Sequence, residues 1–437
     1  MYHKIKRWFP VYAVKNISFL TIGKFFLYIG GFLYGIFGAW ILGAEGFGQL
    51  VLIISVVQLI KIPFAIPFGL PLLKLVRARR AGEGKLRNRD YVVACFLATG
   101  ITAGIFGFFF LAFLWFGATW FELFESWQRA LGLYALSEII YIIRKPTSSL
   151  FDAYEKYGWH SILMVWNTLF KDLLTVVFMY FGGIMGACLG YLIGEIILFF
   201  LTILAALLVW GRVVYESLLD RSIQLRRAFY EFYLNVRSAY VAQLMKTPYQ
   251  KIVNLLIGSY VSPAGTGYYN IAFKFQKIFT FLAAPIKTYL FPRLMEKWSK
   301  ESKNEFYYTV RKYFYQLGPS YLLLALIIGL MSPWLIPIIY SSEFEPAIPL
   351  VIILLPAFVF STLFQIFTNM AFVISQQRAL VIEAGLKLFL GIPVAFFLIY
   401  FFGYLGAGWA YLLTHLSIVA YQIYFFHKYF VWKWIWP

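Results

Sequence analysis

Charge is the first thing this chain lacks. Only 13% of its 437 residues are Asp, Glu, Lys or Arg, about half the share found in soluble domains. A soluble enzyme is excluded on that ground. So is a nucleic-acid-binding domain, although the formal net charge of +19 would point there in a soluble protein. Cysteine is nearly absent: Cys95 and Cys188 both fall inside apolar runs, which excludes a disulfide framework, and no Cys-x-x-Cys pair offers a metal site. The four histidines, His3, His160, His415 and His427, have no metal-ligand spacing, and the glycines form no phosphate-binding loop. No resident cofactor is expected. A small-residue cleavage site after the basic start (Lys4, Lys6, Arg7, Lys15) is missing too, so the first apolar run reads as a retained span and not a signal peptide.

What is present is hydrocarbon. Hydrophobic residues make up 62% of the chain and aromatics 21%, many of the rings at the ends of apolar runs, where amphipathic rings favour the membrane interface. Trp432-Lys433-Trp434-Ile435-Trp436 is such an anchor. A membrane crossing takes about 20 mostly apolar residues. Spans are predicted at 17–42, 47–73, 91–116, 128–151, 161–181, 186–210, 236–260, 267–291, 313–338, 347–372, 379–402 and 406–426. The seventh carries Gln243, Lys246, Thr247, Pro248, Gln250 and Lys251, a set that fits a helix lining water and not lipid.

The connections sort by charge. Lys74 to Arg89, Arg212 to Arg237 and Arg293 to Lys312 are basic, whereas 43–46, 117–127, 182–185, 261–266, 339–346 and 403–405 contain no Lys or Arg but do contain Glu45, Glu122, Glu125, Glu343 and Glu345. Basic connections stay inside, which puts both termini in the cytoplasm and requires an even number of spans. The longest outer connection, 117–127, holds no catalytic constellation. That argues against a membrane-bound polymerase or ligase, and the chain reads as a transporter and not an enzyme.

Ten cations remain near or within the spans: Lys24, Lys61, Arg129, Lys171, Lys246, Lys251, Lys274, Lys277, Lys287 and Lys387. The other Lys and Arg, Arg144 among them, are assigned to the cytoplasmic side. Four acids share the depth of the ten: Glu138, Asp172, Glu195 and Glu383. An intramembrane Lys costs about 2.5–3.5 kcal/mol on insertion scales, so a surplus of lysine points to a wet, positive cavity. An internal repeat is also visible. Gly43-Ala44-Glu45-Gly46-Phe47-Gly48 matches Ser262-Pro263-Ala264-Gly265-Thr266-Gly267, Gly186-Ala187 matches Gly406-Ala407, and Val165–Lys171 matches Val381–Lys387. The last match sets Lys171 against Lys387.

Further stretches carry a resemblance: Ile257-Gly258-Ser259-Tyr260-Val261 before the second turn, Tyr268-Tyr269-Asn270 after it, Leu290-Phe291-Pro292-Arg293, Pro337–Phe344 and Gly403-Tyr404-Leu405-Gly406-Ala407-Gly408. With Leu42–Gly48 they make the chain resemble the Wzx-type polysaccharide and O-antigen flippases of the multidrug/oligosaccharidyl-lipid/polysaccharide (MOP) exporter superfamily, over nearly its whole length. The resemblance implies an all-α polytopic membrane protein of about 12 transmembrane helices. These form two pseudo-symmetric six-helix bundles around a central cavity, 1–210 and 236–437, joined by a cytoplasmic linker at 211–235. It further implies alternating access in a cell (inner or plasma) membrane and a polyprenyl-pyrophosphate-linked oligosaccharide as cargo. Membrane lipids, and other polysaccharide-assembly proteins, are the partners that go with such a cargo.

In the superfamily the first two helices of each half line the cavity. Lys24, Lys61, Lys246, Lys251, Lys274 and Lys277 lie there and are the expected contacts of an anionic headgroup. Asp172 and Glu195 are candidates for carrying a coupling proton or sodium ion; the competing reading makes them, with Glu138 and Glu383, buried partners of nearby lysines. A multidrug antiporter of the same fold is the alternative function, but drugs of that class are usually cations and would want an acidic cavity.

Overall fold

The computed structural model describes residues 11–80, 86–117, 122–218, 224–299, 303–374, 376 and 378–429. The Trp432–Trp436 anchor and the basic start at Lys4, Lys6 and Arg7 lie outside these. Every regular element among the described residues is helical. In chain order they are α1 (Val11–Lys61), a 3-10 turn (Ile62–Phe64), α2 (Gly69–Arg80), α3 (Asn88–Gly117), α4 (Glu122–Ala153), α5 (Tyr157–Val165), a π turn (Trp166–Phe170) and α6 (Lys171–Leu218). Then follow α7 (Leu225–Lys246), α8 (Pro248–Tyr260), α9 (Pro263–Ser299), α10 (Lys303–Tyr340) and, after a 3-10 turn (Ser342–Phe344), α11 (Ala347–Leu363) and α12 (Ile366–Val373). The last are α13 (Arg378–Gly385), a second π turn (Leu386–Leu390) and α14 (Gly391–Tyr429).

Among the described residues, six stretches are long and apolar enough to cross a membrane: Phe25–Phe64, Asn88–Phe116, Tyr157–Val209, Glu305–Tyr340, Ala347–Thr368 and Arg378–Lys428. Three of them run 40, 53 and 51 residues, room for two crossings each. Each of the three is interrupted by one glycine with positive φ: Gly43 (65°), Gly183 (57°) and Gly403 (59°). At Gly183 and Gly403 the helix doubles back. A Cβ on Gly186 would stand 1.9 Å from Phe178 O, and one on Gly406 would stand 1.9 Å from Leu398 O, so the two arms pack backbone to backbone. Outward-facing apolar side chains such as Phe181 (82% exposed) and Trp115 (77%) would be untenable in water at this density and mark a lipid-facing surface.

Three further helical segments are long but more polar: α4, α9 and the α7–α8 pair. The seventh span, expected as one helix over 236–260, is two. Pro248 has no N–H to continue α7 and opens α8 as its first residue, where a missing donor costs nothing. The second span likewise ends its α-helix at Lys61, because Pro63 enters a 3-10 turn. Lys61 thus stands at a helix C-terminus, where a cation is favoured, and not at mid-helix.

The chain divides into two compact units: Met1–Ile41 with Val57–Tyr240, and Leu42–Val56 with Val241–Pro437. In the first, one core joins α2, α3, α4 and α7 through Leu72, Tyr91, Cys95, Leu150 and Phe232. In the second, Leu294, Phe306, Val310, Phe367, Met370 and Phe426 join α9, α10, α12 and α14.

The second unit also takes in the 42–56 stretch of α1. Gly48 lies against Pro263 and Gly267, so close that a Cβ would fall 1.7 Å from Pro263 O, the small-residue contact by which membrane helices approach. The two repeated turns recognised in sequence are therefore packed on each other. Glu343 accepts a 2.9 Å hydrogen bond from Ala44 N and so caps the helix that starts after Gly43. Gly43 has φ 65° and ψ −176°, a region open essentially to glycine alone, and a Cβ there would stand 2.8 Å from Glu343 Oε2. Gly43→Ala is expected to cost about 1–3 kcal/mol, read as a lower unfolding temperature in detergent.

The π turns fix the register of the repeat. Trp166–Phe170 and Leu386–Leu390 stand 220 positions apart (386 − 166), as do Gly183 and Gly403 and the Gly186 and Gly406 contacts. The expected match of Val165–Lys171 to Val381–Lys387, at 216, is therefore out of register by one helical turn. Lys171 corresponds to Gly391, and Lys387 to Asn167.

Candidate functional site: a buried ionic network in the N-terminal unit

Four stretches of the first unit, from α1, α4, the α5–π turn segment and α6, bring charged side chains together at the depth of the apolar spans. Lys61 Nζ donates to Glu138 Oε2 at 2.6 Å. Glu138 Oε1 accepts from Tyr134 Oη at 2.8 Å, and Tyr134 in turn accepts from Gln58 Nε2 at 2.9 Å. Glu138 and Tyr134 are one turn apart on α4, the i,i+4 spacing that lets side chains meet. The pair is nearly dry, with Lys61 14% and Glu138 10% exposed.

Two turns further along α4, Arg144 grips Glu195 of α6 with both arms of its fork, Nε to Oε2 at 3.1 Å and Nη2 to Oε1 at 3.3 Å. It also reaches Asn167 of the π turn at 3.5 Å. Lys171 Nζ donates to the same carboxylate, Oε1, at 3.0 Å. Aromatic rings link the two ion pairs. Tyr141 has Lys61 at 5.2 Å and Arg144 at 5.7 Å over its ring, and Tyr191 has Lys171 at 5.6 Å while meeting Tyr134 edge-on at 5.3 Å. Such cation–ring contacts strengthen as water is removed. Asp172, half-buried, follows Lys171 and acts on it electrostatically.

Arg144→Lys keeps the charge but cannot make the parallel pair of bonds. We expect it to destabilise the unit by about 1.5–3 kcal/mol, measured by thermal unfolding of the purified protein.

Of the expected site residues, the structure brings Lys61, Asp172 and Glu195 into this network. Lys24 and Lys246 lie on α1 and α7, with side chains outside the described set. Lys251, Lys274 and Lys277 belong to the second unit. The first two are half-buried, Lys277 is exposed, and each is engaged in an interaction. Arg144, which sequence reasoning had assigned to the cytoplasmic side, is instead a central member.

The second unit has its own polar core. Asn254 donates to Ser55 Oγ at 2.9 Å and accepts from Asn270 at 3.1 Å. Lys387 lies over the rings of Tyr249 and Tyr411 at 5.4 and 5.5 Å, and Tyr411 accepts from Gln276 at 2.9 Å. No cluster of three or more His, Cys, Asp or Glu fit to hold a metal ion occurs among the described residues.

The family of polysaccharide biosynthesis proteins matches residues 13–298, which include the whole of this network. The chain belongs to that family. Solved structures share its fold over nearly the full length. A lipid II flippase, MurJ, in an inward closed conformation has a TM-score of 0.74 at 13% identity, covering 94% of this chain and 87% of that one. An inward-facing multidrug resistance MATE family transporter of the MOP superfamily has 0.73 at 14%, covering 94% and 97%. A MOP superfamily transporter from Pyrococcus furiosus, described by the reversed polarity of its binding pocket, has 0.66 at 14%, covering 95% and 94%. No curated protein matches the chain in sequence. The protein is thus a multi-span helical membrane protein of the MOP fold and a member of a polysaccharide biosynthesis family.

Proposed function

We propose that the protein is a flippase that carries a polyprenyl-pyrophosphate-linked oligosaccharide from the cytoplasmic to the outer leaflet of the cell membrane, and that it works as a transporter and not an enzyme. The observation that carries this reading is the buried set of Lys61, Arg144 and Lys171 in a chain of a polysaccharide biosynthesis family. A pyrophosphate needs cations, and cations at membrane depth are costly enough to imply use.

In this reading the basic connections face the cytoplasm, the segments 1–210 and 236–437 rock as bundles about the 211–235 linker, and Lys24, Lys61, Lys246, Lys251, Lys274 and Lys277 meet the headgroup in turn. Lys61 and Lys171 are each held by a carboxylate. A pyrophosphate displaces the carboxylate by offering the same charge with more acceptor oxygens. Lys61 leaving Glu138, or Lys171 leaving Glu195, is the exchange that admits the substrate. Asp172 and Glu195 are the carboxylates through which a returning proton or sodium ion would be coupled. A potential negative inside adds about 2.3 kcal/mol per charge per 100 mV in favour of outward anion movement.

The test is flipping of a fluorescent polyprenyl-pyrophosphate saccharide in proteoliposomes. Wild-type protein is expected to flip it and to leave a cationic dye untouched. Transport of the dye alone would replace this reading with that of a multidrug exporter.

A further inference from the structure

The second unit repeats part of the ionic network with one charge changed. At the offset of 220 positions fixed by the π turns, Tyr191 corresponds to Tyr411, Glu195 to His415, Lys171 to Gly391 and Gly194 to Thr414. In the first unit the ammonium of Lys171 stands 5.6 Å from the centre of the Tyr191 ring. In the second, the ammonium of Lys387 stands 5.5 Å from the centre of the Tyr411 ring. Each unit thus holds an ammonium over the equivalent tyrosine. The stem is rooted one helical turn earlier in the second (391 − 387 = 4).

Sterics explain the change of stem. A Cβ on Gly194 would fall 2.5 Å from Lys171 Cγ, so the glycine there makes room for the lysine. In the second unit the exchange is reversed. Thr414 takes the place of that glycine, and a Cβ on Gly391 would stand 2.9 Å from Thr414 Cγ2 and 2.7 Å from Tyr249 Cε2. Position 391 has no room for a lysine, and the π turn supplies Lys387 instead. The place of the ammonium is common to both units; the residue that carries it is not.

The carboxylate is not repeated. Glu195 accepts from Lys171 at 3.0 Å. Its counterpart His415 is 6% exposed, lies against the Tyr411 ring with centres 3.9 Å apart, and donates from Nδ1 to the Tyr411 carbonyl oxygen at 2.9 Å. A carbonyl only accepts, so Nδ1 carries a hydrogen and the ring brings no negative charge. Glu383, one turn before Lys387, accepts from Gln422 at 3.2 Å. Lys251 and Lys274, both half-buried, stand close to this level. The Asn270–Asn254 bond joins α8 to α9, and each lysine lies about one turn beyond it, away from the connecting turn. Among the described side chains here, three lysines meet one glutamate. In the first unit Lys61, Arg144 and Lys171 are matched by Glu138, Glu195 and Asp172.

We propose that Lys387 is a further anion-binding residue of the transporter, and that His415, by standing where the first unit has a glutamate, removes a carboxylate that would compete with the phosphates of the substrate. Lys387 touches the headgroup; His415 is a positioning residue that acts through it. The proposal rests on the reading of the protein as a flippase of lipid-linked saccharides.

Native mass spectrometry of the purified full-length protein tests it, with a long-chain polyprenyl pyrophosphate bearing no sugar as the probe and the uncharged polyprenol as control. Lys387→Met should weaken the probe about tenfold and leave polyprenol binding unchanged, and Lys387→Arg should keep the probe bound. His415→Glu installs the carboxylate of the first unit. It should weaken the probe about tenfold with no fall in unfolding temperature, whereas His415→Gln, similar in size and uncharged, should bind as wild type does. Unaltered probe binding in Lys387→Met overturns the proposal, as does an equal loss of polyprenol in that variant. Equal losses in His415→Glu and His415→Gln overturn the part given to His415. The flipping assay separates this idea from the transport reading. Wild-type protein that binds the probe through Lys387 yet flips no saccharide keeps the anion site and removes the flippase. Flipping by wild type, with normal probe binding in Lys387→Met, keeps the flippase and removes the site.

Discussion

Lys61→Ala is expected to destabilise the protein by about 3–5 kcal/mol, the cost of leaving a buried carboxylate without its partner, and to abolish saccharide flipping. The first effect follows from geometry. Glu138 is 10% exposed and receives Lys61 at 2.6 Å, and the Tyr134 hydroxyl is too weak a donor to hold the charge alone. Loss of transport in the single variant would therefore be ambiguous. The double variant Lys61→Met, Glu138→Gln resolves it. Both charges leave together, shape is nearly kept, and such replacements are often neutral in stability. Its unfolding temperature should return to near the wild-type value while flipping stays absent. Recovery of flipping along with stability would mean that the pair holds the fold together and that the headgroup is bound elsewhere.

The second large effect is steric. Gly186→Val and Gly406→Val should each prevent the protein from reaching the membrane in a folded state, because the first added carbon falls 1.9 Å from a carbonyl oxygen of the opposing arm, Phe178 O and Leu398 O respectively. Overpacking of this kind costs about 1–3 kcal/mol when side chains can move, and here the obstacle is backbone. Gly182→Ala is the control: nothing lies within 4 Å of its position, and it should behave as wild type. Size-exclusion chromatography of the detergent extract distinguishes folded from aggregated protein in all three. A monodisperse Gly186→Val would show that the two arms of α6 separate freely.

Much of the helical layout was legible because membrane helices announce themselves by unbroken apolar length, and because Gly43, Gly183 and Gly403 fall within connections that carry no basic residue. The failures have physical causes. Spans at 236–260 and 47–73 are interrupted where Pro248 and Pro63 withhold an N–H, which hydropathy does not register. Arg144 was misplaced because it precedes Lys145 and Pro146 near the end of a span and looks like an interfacial pair. On a helix adjacent residues point about 100° apart, so Arg144 turns into the bundle at 11% exposure while Lys145 faces outward. No spacing rule could have joined Lys61 to Glu138, 77 positions away, or Glu195 to both Arg144 and Lys171. Sequence supplied the charges and their scarcity; which acid holds which base is decided by tertiary packing.

The paired π turns repeat a backbone feature where the side chains differ. A π turn is a helix that has absorbed one residue too many, and such turns make up well under 1% of residues in proteins. Here two of them occupy the same place in the two halves of the chain, Trp166–Phe170 and Leu386–Leu390, 220 positions apart. The wording around them has little in common, Trp166-Asn167-Thr168 on one side and Leu386-Lys387-Leu388 on the other. A wide turn in a helix frees a carbonyl and shifts every following side chain round the axis, so what the two halves share at this place is a change of helical phase and not a set of side chains.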